Sequence, residues 1–120
     1  MKILVTGSRD FTDYDLLKTQ LDYTLSYETV ILIHGGQRGA DKLASRWCKE
    51  NPRVYEIELP AKWALLGKPA GMARNRVMAE LKPDQVKAFY KTGAANVGTA
   101  GMVGLARVSG VRTIDQWWQE

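Results

Sequence analysis

Cysteine and histidine occur only once each in this sequence of 120 residues, and it contains no long hydrophobic run. The single cysteine, Cys48, excludes an intramolecular disulfide, so a reducing compartment is the default expectation. His34 is the only histidine, and no cysteine or acid cluster completes a metal site around it, so we expect no metal. No apolar run could span a bilayer, and a strand-like run directly after Met1 argues against a signal peptide. We therefore expect a cytoplasmic protein without membrane contact.

A strong excess of one charge is also missing. The 17 Lys and Arg residues outnumber the 13 Asp and Glu residues only slightly, and the net charge of +4 is spread along the chain. The sequence shows neither a helix-turn-helix signature nor a ladder of basic and aromatic residues. Such a charge suits a compact anion better than a long duplex. The length and the hydrophobic fraction of 45% fit a single domain over residues 1–120.

Short apolar runs alternate with helical patterns along the chain. The runs predict five strands, at Lys2–Thr6, Val30–His34, Val54–Leu59, Val86–Tyr90 and Val111–Ile114. Apolar residues at helical spacing predict four helices between them. The first runs from Tyr14 to Leu25, and the others are Ala40–Asn51, Met72–Leu81 and Ala100–Ser109. The alternation predicts an α/β fold of the Rossmann-like, doubly wound type, with a mostly parallel five-stranded sheet and helices on both faces. In such sheets ligands bind beyond the carboxyl ends of the strands, where the strand order reverses.

Several element ends carry their own signals. Thr12 is the expected cap of the first helix, with Asp15 as a weak capping-box acid, and Gly110 is expected to end the last helix. The alternating polarity of Val54–Leu59 predicts an edge strand or one with a solvated face. Pro60–Gly71 has the composition of an irregular connection, and the chain continues past the fifth strand with Asp115–Glu120.

Three glycine-bearing loops follow predicted strands, each with a helix at or just after it. They are Gly7-Ser8-Arg9-Asp10, the loop from His34 to Asp41, and the loop from Gly93 to Thr99. Glycine allows close approach of an anion, and the free N–H groups of a following helix favour negative charge. The three loops together predict a phosphorylated ligand.

Residues of the first loop and of the predicted third helix have two interpretations each. Gly7 and the N–H groups around Ser8 would approach a phosphate that Arg9 neutralises, or the loop is a tight turn in which Arg9 and Asp10 form a solvated pair. Arg74 and Asn75 fall in a predicted first helical turn, where the dipole disfavours a cation unless an anion compensates. Otherwise they belong to a solvated helix face.

The second and third loops also leave alternatives open. Gly35 and Gly36, followed by Arg38, allow a positive φ or close ligand approach. Asp41 either binds ribose hydroxyls or complements the dipole of its helix. His34 is interpreted as a structural hydrogen-bonding residue. In the third loop, Gly98 and Thr99 offer N–H groups and a hydroxyl to a phosphate, or Thr99 is an N-cap.

Tryptophan is the remaining ambiguous feature. Trp63 either stacks on a base or packs the long connection onto the domain. Trp117 and Trp118, near the end of the chain, have the character of packing residues or of an oligomer contact.

The ordered motifs are specific as a group: G-S-R-D at 7–10, H-G-G-x-R-G-A-D at 34–41, A-G-x-x-R-N-x-x-M at 70–78 and G-T-A-x-M at 98–102. The chain resembles, from Met1 to about Ser109, the YspA-like family of small bacterial and phage proteins of unknown function. That family belongs to the SLOG superfamily of Rossmann-like nucleotide-binding proteins, whose members include the DprA/Smf proteins and the LONELY GUY phosphoribohydrolases. The resemblance implies a nucleotide or a nucleotide-derived ligand, including one of the ADP-ribose type.

The hydrolase activity of the LONELY GUY enzymes does not carry over residue by residue. Those enzymes split a nucleoside monophosphate with an arginine, which Arg74 matches, and with a glutamate three residues after the threonine of P-G-G-x-G-T. Met102 stands at the glutamate position, and the segment from Thr92 to Thr99 lacks the proline and the usual spacing. A methionine cannot transfer a proton. The third loop therefore matches the family pattern less well than the first two.

The sequence favours a non-catalytic module that senses or sequesters a nucleotide-type ligand, without a further cofactor. An N-glycosidase acting on nucleotides, with Arg74, Asp10 or Asp41 as its polar groups, is the first alternative, and DprA-like nucleic-acid binding is the second. Because superfamily relatives often pair, a homo-oligomer is expected. The predicted ligand-binding residues are Gly7, Ser8, Arg9, Asp10, Gly35, Gly36, Arg38, Asp41, Arg74, Asn75, Gly98 and Thr99.

Overall fold

Five parallel strands form one sheet in the computed structural model of the protein, which describes residues 1–61, 67 and 69–120. The strand order is β3-β2-β1-β4-β5, and every neighbouring pair is parallel. The order reverses between β1 and β4, because β2 and β3 lie on one side of β1, whereas β4 and β5 lie on the other. The strands are β1 (Lys2–Gly7), β2 (Ile31–His34), β3 (Tyr55–Glu58), β4 (Gln85–Lys91) and β5 (Thr113–Gln119).

The helices of the described chain cover both faces of this sheet. They are α1 (Tyr14–Asp22), followed by a 3₁₀ turn (Tyr23–Ser26), α2 (Ala40–Glu50), α3 (Pro69–Glu80) and α4 (Val97–Val108). Alternate side chains of each strand enter opposite cores. Ile3 and Val5 pack with α1 and α2 residues such as Trp47, whereas Leu4 packs with Met78 and Met102 of α3 and α4. The doubly wound α/β fold predicted from the sequence is therefore confirmed.

The first helix begins differently from the prediction. Asp13, not Thr12, is the N-cap of α1, and its carboxylate accepts a hydrogen bond from Leu16 N at 3.1 Å. The Thr12 hydroxyl instead accepts a hydrogen bond from Gln119 Nε2 at 2.8 Å. The prediction of Thr12 as the cap was wrong, because the sequence does not reveal that the end of β5 reaches this turn.

The last helix ends as predicted. Gly110, at a φ of 85°, donates to Arg107 O at 3.2 Å, and Val111 N donates to Ala106 O at 3.0 Å. These two bonds form a Schellman motif, in which glycine readily adopts the left-handed conformation. The following strand is longer than predicted, since β5 continues through Asp115 to Gln119.

The other boundaries differ by a few residues, and β3 lies at an outer edge as its alternating pattern indicated. Helix α3 begins at Pro69 rather than at Met72, so Arg74 and Asn75 lie in its second turn. The argument that the helix dipole disfavours a cation at Arg74 therefore does not apply, because the dipole effect is confined to the first turn. Among the described residues, no helix is long and apolar enough to cross a bilayer.

Candidate functional site

A cavity of about 570 Å³ opens where the strand order reverses, beyond the carboxyl end of β1. The end of β1, the first turns of α3 and α4 and part of the loop before α2 surround it. Eight of the twelve predicted ligand-binding residues line it: Gly7, Ser8, Arg9, Asp41, Arg74, Asn75, Gly98 and Thr99. This is the location at which doubly wound folds bind their ligands.

Asp41 organises the second glycine loop from within. Its side chain is buried, and Oδ2 accepts hydrogen bonds from Gly35 N at 3.1 Å and from Gln37 N at 3.3 Å. Burial raises the pKa of Asp41, while the Gln37 N–H and the positive charge of Arg74 oppose that rise. The Asp41 carboxylate therefore stabilises the second glycine loop through hydrogen bonds from two backbone N–H groups of that loop. Neither sequence interpretation of Asp41 included this role.

Arg74 reaches across the cavity from α3 to the same loop. Its Nη1 donates to Gly35 O at 3.0 Å, and its Nε donates to Asn75 Oδ1 at 2.9 Å. Burial lowers the pKa of Arg74, although the nearby Asp41 carboxylate opposes this. An arginine remains charged despite such a shift. The two hydrogen bonds fix a half-buried cation in the cavity wall.

Gly35 is required for this approach of Arg74. A Cβ atom at Gly35 would lie 1.8 Å from Arg74 Nη1 and 2.5 Å from its Cζ. Any other residue would displace the guanidinium. Gly35 therefore allows another group to approach its backbone closely, which is one of the two uses that the sequence analysis gave for it. The group that approaches is the Arg74 side chain of the protein itself.

The first and second loops are in close backbone contact. Gly39 has a φ of 84°, and a Cβ there would lie 2.2 Å from Ser8 O and 2.7 Å from the carbonyl carbon of Arg9. Ser8 O in turn accepts a hydrogen bond from Ala40 N, at the start of α2, at 3.3 Å. The first N–H group of α2 is thus bound to the protein and is not offered to an anion.

The first loop is similarly occupied. Ser8 N donates to Phe89 O at 2.8 Å, and Asp10 N donates to the Ser8 hydroxyl at 3.1 Å. Gly7 is enclosed, since a Cβ there would lie 2.3 Å from that of Ala40. The Ser8 and Asp10 N–H groups are therefore bound within the protein, whereas the exposed Arg9 contributes its charge to the cavity.

The start of α4 differs from the first loop in its hydrogen bonding. Asn96 is its N-cap residue, yet its side chain makes no capping hydrogen bond. Its Nδ2 donates instead to Ala94 O at 3.0 Å and to Lys91 O at 3.3 Å, and its Oδ1 is buried without a partner among the described residues. The first N–H groups of a helix have no intrahelical acceptor. The N–H groups of Gly98 and Thr99 are therefore left uncapped beside the cavity.

This arrangement reverses the order in which the sequence ranked the loops. The first two loops match the family pattern best, but the N–H groups of Ser8, Gly35 and Gln37 are bound within the protein. The third loop, which lacks the proline and the acid, leaves the start of α4 without a side-chain cap. Thr99 is the third residue of α4 and is not its cap. Asn96 and Gln37 line the cavity without having been predicted, since neither residue type is distinctive in a loop.

Four predicted residues lie outside this cavity. Gly35, Gly36 and Arg38 line an adjoining groove of about 400 Å³, to which Arg9 and Gln37 also contribute. Asp10 forms an exposed ion pair with Arg38 at 3.6 Å. The alternative interpretation of the first loop was a solvated ion pair of Asp10 with Arg9, so the partner is a different arginine. Such a pair contributes little to stability.

His34 lies in an acidic cluster that the sequence analysis did not find. Its Nε2 lies 2.5 Å from Glu56 Oε2, and the side chain of Glu58 is near enough for the three to form a candidate metal site. However, His34 Nδ1 accepts a hydrogen bond from Gly36 N at 3.0 Å. A neutral ring that accepts at Nδ1 carries its proton on Nε2 and donates it to Glu56. Both ring nitrogens thus make hydrogen bonds within the protein, which agrees with the structural role predicted for His34.

The tryptophans near the chain end belong to β5. Trp117 stacks on Phe89 with ring centroids 5.1 Å apart, and Trp118 stacks on Tyr90 at 4.3 Å. Trp118 remains 54% exposed. Trp63 lies outside the described residues.

Comparison with known proteins gives two matches. The model of the YspA, cpYpsA-related SLOG family matches residues 1–65. The Gene 61 protein of Mycobacterium phage D29 is 33% identical over 122 residues, which cover 95% of this chain and 94% of the phage protein. No solved structure matches the chain significantly.

Proposed function

Because the chain belongs to the YspA, cpYpsA-related SLOG family, we propose that the cavity between β1 and β4 binds a nucleotide or a nucleotide-derived ligand, including one of the ADP-ribose type. The protein then senses or sequesters this ligand in the cytoplasm. The proposal requires no metal and no cofactor besides the ligand itself.

The single observation that carries the proposal is the uncapped start of α4. Asparagine is among the best N-cap residues, and its capping bond stabilises a helix by about 1 kcal/mol. Asn96 instead directs its amide to the loop carbonyls of Lys91 and Ala94. A ligand phosphate that accepts hydrogen bonds from Gly98 N and Thr99 N would take the place of the missing cap.

The charges around the cavity support the same ligand chemistry. Arg74 is held in the wall by Gly35 and Asn75, and Arg9, in the turn after β1, also lines the cavity. Guanidinium groups bind phosphate oxygens through charge-assisted hydrogen bonds. Together, the two arginines and the start of α4 can neutralise the negative charge of a phosphate or a diphosphate.

The carboxylates near the cavity support binding rather than hydrolysis. Asp41 is the only carboxylate among the described residues that line the cavity, and both hydrogen bonds to its Oδ2 come from its own loop. Asp10 does not line it. Met102, at the position of the hydrolase glutamate, is fully buried in the core formed with Leu4. Asp41 is therefore the one carboxylate among the described cavity residues that could transfer a proton, and its hydrogen bonds from Gly35 N and Gln37 N hold it in its own loop.

Isothermal titration calorimetry with a panel of nucleoside mono- and diphosphates, NAD and ADP-ribose tests this proposal. We expect at least one of these compounds to bind the wild-type protein and to bind Arg74→Ala roughly 10- to 100-fold more weakly, the usual cost of losing a charged hydrogen bond. Arg76→Ala is the matched control, because Arg76 is an exposed residue of the same helix and does not line the cavity.

The same samples separate binding from catalysis. After incubation with each nucleotide, chromatography should recover the compound intact. Release of a free base or of ribose phosphate would instead support the N-glycosidase alternative. No binding of any compound in the panel would refute the proposal.

A further inference from the structure

The two outer edges of the sheet differ in how they are protected. At one edge, β3 has only four residues, and two of them are the glutamates Glu56 and Glu58. At the other edge, β5 runs for seven residues, Thr113–Gln119, with two tryptophans, one isoleucine and a single charged residue, Asp115. Short length and charge are the usual means by which an edge strand avoids pairing. The β5 edge is longer than the β3 edge and carries only this one charge.

The backbone groups that β5 offers at this edge follow from its pairing with β4. Thr92 N donates to Gln119 O, so the N–H and C=O groups of Gln119 and of every second residue before it point toward β4. The groups of Ile114, Gln116 and Trp118 therefore point away from the sheet. Among the described residues, no strand pairs with them.

We propose that β5 of a second copy of this chain pairs with this edge in an antiparallel manner, so that two five-stranded sheets form one continuous sheet of ten strands. A two-fold axis relates the copies, because such an axis brings the same strand of each copy together in opposite directions and closes the assembly at a dimer. The outward groups of Ile114, Gln116 and Trp118 then find their hydrogen-bond partners.

The side chains select the register of this pairing. With the axis beside Gln116, Arg112 of one copy lies opposite Glu120 of the other, and Ile114 lies opposite Trp118. Opposite charges and aromatic–aliphatic pairs are the favourable cross-strand combinations. An axis beside Asp115 would place two carboxylates opposite each other, and an axis beside Trp117 would place Ile114 opposite Glu120.

The exposed aromatic surface agrees with this register. Trp118 stacks on Tyr90 with one face of its ring and is 54% exposed. Ile114, Gln116 and Trp118 project to the same face of the sheet, because side chains alternate along a strand. The isoleucine of the second copy therefore covers apolar surface of Trp118 that would otherwise remain in water.

Sedimentation velocity from micromolar to millimolar protein concentration measures whether the protein is a dimer. The wild type is compared with two variants at Gln116. Gln116→Pro removes the outward N–H group but none of the hydrogen bonds to β4, and proline is tolerated at such edge positions. Gln116→Ala loses the same side chain, including its hydrogen bond with Tyr90, and keeps the N–H group. We expect a dimer for the wild type and for Gln116→Ala, and a monomer with an unchanged circular dichroism spectrum for Gln116→Pro.

A charge exchange tests the register without altering the strand interior. Arg112→Glu alone and Glu120→Arg alone should each weaken dimerisation by roughly three- to tenfold, because each change creates two like-charge pairs across the two-fold axis. The double variant should restore the dimer to within about twofold of the wild type. Both residues are exposed, so these variants remain informative if Gln116→Pro does not fold.

A monomer over the whole concentration range, or a dimer that persists in Gln116→Pro, would overturn the proposal. Failure of the double charge exchange to restore the dimer would overturn the register. Ligand binding is measured separately, since neither Gln116 nor Arg112 lines the cavity.

Discussion

A single methyl group added at Gly35 tests how the protein positions Arg74. The new Cβ would lie 1.8 Å from Arg74 Nη1 and 3.1 Å from Asp41 Oδ2. The guanidinium is the end of a flexible side chain, so it can move away while the loop stays in place. We therefore expect Gly35→Ala to fold with Arg74 displaced from the Gly35 carbonyl.

The two effects of this substitution differ in size. Hydrogen bonds to charged groups are worth about 1.5–3 kcal/mol, and the half-buried position of Arg74 reduces this to about 1 kcal/mol of folding stability. In a protein of this length, that loss lowers Tm by about 4 °C. The effect on ligand affinity is larger, since the displaced cation no longer meets the phosphate, and we expect binding to weaken roughly 10- to 100-fold.

A double-mutant cycle provides the decisive assay. Calorimetric titration of the best-binding nucleotide should give similar losses for Gly35→Ala, for Arg74→Ala and for the double variant, because all three remove the same cation from the site. Gly104→Ala is the control. That glycine is outside the cavity, has no atom within 4 Å of an added Cβ, and lies in α4, where alanine stabilises. Wild-type affinity in Gly35→Ala, or a further loss when it is added to Arg74→Ala, would refute the reasoning.

Three further predictions concern stability. Gly39→Ala should lower the free energy of unfolding in urea by about 2–5 kcal/mol, because its Cβ would meet a backbone carbonyl oxygen at 2.2 Å, whereas Gly93→Ala, at a φ of 81° but in open space, should cost only about 1 kcal/mol. Asp13→Ala should cost about 1 kcal/mol in the same assay and exceed Thr12→Ala, and the opposite order would contradict the assigned cap. Burial raises the pKa of Cys48 to about 12, so the folded thiol keeps its proton where the unfolded one loses it, and the free energy of unfolding should fall as pH rises from about 8.5 to about 12. Cys48→Ala should remove that part of the pH dependence.

The fold was predictable because each central strand contains a short apolar run, residues 3–5 in β1 and residues 88–90 in β4. Lys2–Gly7 and Gln85–Lys91 lie inside the sheet, and burial on both faces requires apolar residues at successive positions. The last strand was predicted too short, since Asp115, Gln116 and Gln119 lie on an edge where polar residues are tolerated. Its two adjacent tryptophans pack on opposite faces, which hides the alternation.

The location of the site was predictable, but the function of each loop was not. Glycine loops after parallel strands meet at one sheet edge, so Gly7, Asp41 and Gly98 could be placed together in advance. Whether an N–H group is available depends on partners distant in the sequence. Ser8 N is bound by Phe89 O, and only the fold brings these two residues together. Likewise, nothing in the sequence indicates that the Asn96 amide turns to the loop carbonyls and leaves the start of α4 uncapped.

The most direct test of the account is an NMR titration that follows each backbone amide while the tightest-binding nucleotide is added. The account predicts the largest chemical-shift changes at Gly98 N–H and Thr99 N–H, with smaller changes near Arg74 and none at Val108, at the far end of α4. In Arg74→Ala, the same shifts should appear only at higher nucleotide concentration. Nucleotide binding that shifts other amides and leaves Gly98 and Thr99 unchanged would contradict the account.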